Sequence, residues 1–85
     1  MTKKKPTIEQ CIGRVVSEMR ARPPRSPLAL SQRELASHAM FPHSTIAQIE
    51  AGRRLKHSHL IAIARAFGIG YAELIAKAEE AFKAR

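Results

Sequence analysis

Prolines and glycines set the limits for this chain before any apolar residue is considered. "RPPRSP" at 22–27 stops any helix that reaches it, because proline lacks an amide hydrogen and crowds the preceding turn. Pro42, Gly52 and Gly68 interrupt again, so only short elements fit between the breaks. Inside each interval the apolar residues recur three and four apart, the period of an α-helix. Ile8, Ile12, Val15, Val16 and Met19 share one helical face, and that helix must end near Ala21. Residues 22–28 then read as an extended basic connector.

Ser31 followed three residues later by Glu34 is a capping box, which starts a second helix with Leu35, Ala36 and Ala39 on its inner side. "MFP" is the turn after it. Pro42 pre-sets a third helix, expected over 43–51 and closed by Gly52. In "HSHLIAIARAFG" a fourth helix is expected, with Ser58 as its cap, Leu60, Ile63, Ala64 and Phe67 as its core face, and Gly68 as its end. A fifth, over 71–84, buries Tyr71, Leu74, Ile75, Ala78 and Phe82. The expectation is an all-α fold of five helices, one domain over residues 8–85 behind a flexible basic arm at 1–7.

Charge narrows the partners. The chain carries a net +8, and its seven acidic residues are all glutamate. Residues 1–56 hold eleven Lys/Arg against four Glu, a net +7, while 57–85 hold four against three. Positive charge gathered in one part of a chain suits a polyanion. The single cysteine, Cys11, excludes an internal disulfide, and its place between Ile8 and Ile12 reads as a partly buried thiol. No apolar run is long enough to cross a bilayer, so no membrane partner is expected and the cytoplasm is the default location. Four histidines lack the spacing of a zinc site, so neither a metal nor a cofactor is expected. Paired carboxylates, a phosphate-cradling glycine loop and a nucleophile–base pair are all lacking, which reads as a non-enzyme.

"HSTIAQIEAGRR" at 43–54 concentrates the functional signal. At ~100° per residue, His43, Ser44, Ala47 and Gln48 fill one arc; Thr45, Ile46, Ile49 and Glu50 fill the other. One arc is polar and small; the other docks. Such a helix suits the major groove of B-DNA, ~12 Å wide, where glutamine pairs with adenine, histidine donates to guanine, and Ala47 lets the backbone close in. None of these positions carries Phe, Tyr or Trp for stacking on an unpaired base.

"SQRELASHAMFPHSTIAQIEAG" resembles the helix-turn-helix of the Cro/phage-repressor family, with the unit at about 32–51. The pattern is Ser/Thr-Gln-x-x-Leu-Ala, a turn, a Ser/Thr-x-Ile helix, then Ile-Glu-x-Gly. The likeness extends to Gly13, Val16, Met19 and Arg20 before it and to Leu60, Ile63, Ala64, Phe67, Gly68, Leu74 and Ile75 after it. It implies a lambda-repressor-like domain, with His43, Ser44, Ala47 and Gln48 reading bases. Gln32, Thr45, Arg53, Arg54 and Lys56 would hold phosphates, and Arg20 with Glu50 would form a structural ion pair. The arm lysines Lys3, Lys4 and Lys5 resemble the lambda repressor's DNA-wrapping arm. Three departures bear on docking: Met40 replaces the usual turn glycine, Pro42 replaces a capping Ser or Thr, and the link from Arg20 to Gln32 is longer than usual.

The function so implied is a sequence-specific regulator of transcription, repressor or controller in type, reading a palindromic operator in double-stranded DNA. A homodimer through the helix 71–84, with Ala78 and Phe82 left for the partner, would match the palindrome. No small-molecule ligand is expected. Two alternatives stay open: an antitoxin-like module that masks a partner protein, with DNA binding secondary, and non-specific nucleic-acid binding driven by charge.

Overall fold

The computed structural model describes residues 7–24 and 28–84. Five helices run in order: α1, Ile8–Ala21; α2, Gln32–Ala39; α3, His43–Glu50; α4, His57–Ala66; and α5, Tyr71–Ala84. No strand occurs among the described residues. α1 packs on α5 and α3, α2 on α3 and α4, and α4 on α5. The core is made where these faces meet. Val16, Leu35, Ile46, Ile49, Ile63 and Leu74 are wholly enclosed there. Each large side chain shut away from water contributes roughly 1.5–3 kcal/mol, so six of them outweigh any single surface contact.

Helix ends show how local sequence set these limits. Ser31 Oγ accepts from Glu34 N–H at 3.0 Å, and Glu34 Oε1 accepts from Ser31 N–H at 2.8 Å, the expected reciprocal cap of α2. Thr7 and Gln10 build the same device on α1, at 3.1 and 3.0 Å, so Thr7 is the helix cap and not the end of the arm. The fourth helix corrects the sequence reading. It begins at His57 with Lys56 in the cap position and no side-chain cap, because a lysine ammonium has no acceptor to offer the free N–H groups of the first turn. Leu60 N–H bonds Lys56 carbonyl at 3.0 Å as the first helical hydrogen bond. Ser58 lies inside the first turn and caps nothing.

Ala78 is fully buried against the molecule's own core, so it is closed to any partner; Phe82 is half-buried. Tyr71 and Ile75 are likewise half-buried, at the margin of the core. Cys11 is completely enclosed, where a partly buried thiol was expected. The long connector does not disturb the helices it joins. Leu30 N–H bonds Arg20 carbonyl at 2.8 Å, and Arg20 Nη1 donates to Leu30 carbonyl at 3.1 Å. These two bonds join the end of α1 to the residues just before α2.

Candidate nucleic-acid interface

α3 is placed by its buried side. Ile46 and Ile49 have no exposure at all, whereas His43, Ser44 and Ala47 are exposed and Gln48 is half-buried. Thr45, half-buried, sits on the border between the two sides. The sequence-predicted readers therefore share one outward surface. Behind them, α1 crosses the end of α3 in backbone contact. A Cβ on Gly13 would lie 2.5 Å from Glu50 carbonyl oxygen and 2.7 Å from that of Ile49, so only glycine allows the crossing.

The last residue of α3 is the electrostatic anchor. Glu50 Oε2 accepts from Arg20 Nε at 2.7 Å and Oε1 from Arg20 Nη2 at 3.1 Å, a two-pronged pair. The side chains retain 23% and 10% exposure, so the pair is shielded but not dry. Its main physical effect on Arg20 is the hydrogen bonding to Glu50, which raises the guanidinium pKa further and leaves Arg20 a fixed cation. Gln32 Nε2 joins by donating to Glu50 Oε1 at 3.0 Å. An amide nitrogen carries two hydrogens, so Gln32 retains one for an outside acceptor while Glu50 orients it. The glutamate in α3 is thus paired inward and adds no free negative charge to the outward side.

After α3 the chain turns at Gly52, left-handed with φ 83°, and Gly52 and Arg53 N–H groups bond back to the carbonyls of Ile49 and Gln48 at 2.9 and 2.8 Å. Arg53, Arg54 and Lys56 follow, all exposed, with Leu55 tucked against the core between the last two. The three candidate phosphate cations therefore leave one short segment beside the end of α3. Lys3, Lys4 and Lys5 lie outside the described residues. Sequence reasoning missed His59. Considered there only as a metal ligand, it hydrogen-bonds the backbone of Arg54 and touches Phe41 in the turn before α3. The pattern of apolar residues carries no signal for such a contact.

Two short helices joined by a tight turn, the second docked by two isoleucines and polar on its outer side, define a helix-turn-helix domain. The helix-turn-helix family model matches residues 25–74, more than half of the chain. The chain belongs to that family, in its Cro/phage-repressor form, a class of DNA-binding transcription regulators. No curated protein matches it. Among solved structures it is similar to the clp gene regulator ClgR from Corynebacterium glutamicum, with a TM-score of 0.78 and 20% identity over 94% of this chain and 81% of that one. A second ClgR structure gives a TM-score of 0.77 and 20% identity over 93% and 96% of the two chains. That likeness establishes a shared fold.

Proposed function

We propose that this protein is a sequence-specific regulator of transcription that reads a palindromic operator in double-stranded DNA through the major groove with α3. The observation that carries the reading is the division of α3 itself: two fully enclosed isoleucines behind, and His43, Ser44 and Ala47 open in front with Gln48 at their side. Gln48 is assigned to a base edge, Ala47 to close approach, and His43 and Ser44 to neighbouring edges. Gln32, Thr45, Arg53, Arg54 and Lys56 hold phosphates, and Lys3, Lys4 and Lys5 add arm contacts. The activity is binding, not catalysis, and its place is the cytoplasm, where the operator is.

A palindrome calls for two copies of α3 about one helical turn apart, ~34 Å. We assign the homodimer to the outer side of α5 and α1, because the buried Ala78 cannot reach a partner. Val15, Met19 and Ala81 line an open groove there, rimmed by Glu18, Arg22 and Lys77. Glutamate and basic residues on one rim permit a two-fold partner to pair opposite charges.

The test uses a duplex selected by the protein from a random-sequence pool, compared with its scrambled counterpart across a salt series. Specific binding should exceed non-specific binding by at least ~10³. Gln48→Ala should relax selection at one base position and cost about 1–3 kcal/mol on the selected duplex alone. Arg54→Ala should weaken both duplexes alike and reduce the salt slope by about one. Equal affinity of the wild-type protein for the two duplexes would remove base reading and leave only charge.

A further inference from the structure

The segment that follows α3 is fastened more firmly than a solvated loop of cations requires. Arg54 holds a left-handed backbone, φ 56°, a conformation that disfavours any residue with a Cβ. Its carbonyl accepts two hydrogen bonds. Lys56 N–H gives one at 2.9 Å, closing a three-residue turn around Leu55. His59 Nδ1 gives the other at 3.1 Å. A carbonyl has no hydrogen to offer, so Nδ1 must carry it.

The same ring reaches in a second direction. It meets the Phe41 ring edge-on, with centroids 4.8 Å apart and planes at 64°. Phe41 belongs to the turn between α2 and α3, and its own N–H is bonded to Ala36 carbonyl at 2.9 Å. His59 therefore ties the backbone of Arg54 to the body that carries α3. With Leu55 anchored on the core, Arg54 and Lys56 leave the backbone on either side of a fixed turn.

We propose that His59 is a positioning residue for phosphate binding: by holding the Arg54 carbonyl it maintains the left-handed turn that presents Arg54 and Lys56 to the backbone of a DNA duplex lying on α3. This rests on the DNA-binding reading above. His59 acts through Arg54 and touches no phosphate itself.

Two variants of the full chain separate the hydrogen bond from the ring. His59→Phe keeps an edge against Phe41 but has no donor. His59→Asn loses the ring but places an amide donor where Nδ1 stood. Affinity for a mixed-sequence DNA duplex is measured across a salt series, melting temperatures are recorded, and backbone mobility over 53–56 is read by ¹⁵N relaxation. His59→Phe is expected to bind about 3- to 10-fold more weakly, the effect of one hydrogen bond. Its salt slope should fall by about one, and residues 53–56 should become more mobile. His59→Asn is expected to stay within about twofold of wild type. Wild-type affinity, slope and mobility in His59→Phe would overturn the proposal. So would equal losses in both variants, which would make the ring and not its hydrogen bond the source. If the wild-type protein binds the duplex without salt dependence, the DNA reading fails instead; the relaxation measurement needs no DNA and still decides whether His59 holds the turn.

Discussion

Met40 and Arg54 both hold left-handed backbones without being glycine, at φ 63° and φ 56°. Such a conformation costs a residue with a Cβ roughly 1–2 kcal/mol, and the two positions bear that cost differently. Met40 closes α2 with its side chain 90% exposed. Nothing in its packing offsets the strain. Met40→Gly should therefore raise stability by about 1 kcal/mol, or roughly 4–8 °C in melting temperature for a domain of this size. A thermal melt checks this, and a lowered melting point would mean the methionine chain has contacts that outweigh its backbone. At Arg54 the same change should separate folding from binding. Arg54→Gly should melt no lower than wild type, yet bind DNA more weakly and with a salt slope reduced by about one. The methionine was legible in the sequence, as a departure from the family's turn glycine. Arg54 gave no such sign, because its conformation is imposed by a turn and a histidine five residues on.

Elements were readable to the extent that their ends are made by neighbours in sequence. The Ser31–Glu34 box is legible in the sequence; the same spacing at Thr7 and Gln10 is hidden because Thr7 directly follows the lysine run and Pro6. The start of α4 was misread since no side chain caps it at all. The α2 cap also predicts a pH effect. Hydrogen bonds from Ser31, first its N–H and then its hydroxyl, hold the Glu34 carboxyl below its ordinary 4.5. A carboxylate depressed on folding stabilises the native state above its unfolded pKa, and that contribution fades as pH drops through the folded value. Melting temperatures of wild type and Glu34→Gln should thus differ at neutral pH and converge as the pH falls below about 4.5. Curves that stay parallel into acid would show that the cap acts through geometry and not through charge.

Across the whole molecule, the relations that matter join residues far apart in the chain, and periodicity does not encode them. Arg20 with Glu50 was legible through the resemblance to a known family. That Arg20 also clamps Leu30, and that Glu50 also orients Gln32, was not. Arg20→Ala should cost about 3 kcal/mol, the low end for a buried pair given the residual exposure of Arg20. Replacing both partners, Arg20→Met with Glu50→Leu, should cost less than that single change in chemical denaturation, since no carboxylate is then stranded.

Assembly belongs to this scale too, because one copy of α3 would cover only half of the proposed palindrome. The groove beside α5 is apolar at Val15, Met19 and Ala81 and does not include the buried Ala78; Ala81 is half-buried in it. Ala81→Glu would set a carboxylate near Glu18 of the same rim and desolvate it against a partner, at a cost of several kcal/mol to association. The isolated fold should bear it, as the position opens to solvent. Sedimentation equilibrium should then show a wild-type dimer and an Ala81→Glu monomer with the same helical content. On the selected operator the variant should lose the steep, two-copy dependence of binding on protein concentration, while one half-site still binds wild type and variant equally. Equal self-association of the two proteins would move the interface to another face. A strictly monomeric wild type on the full operator would remove the palindrome from the mechanism and leave α3 reading a single half-site.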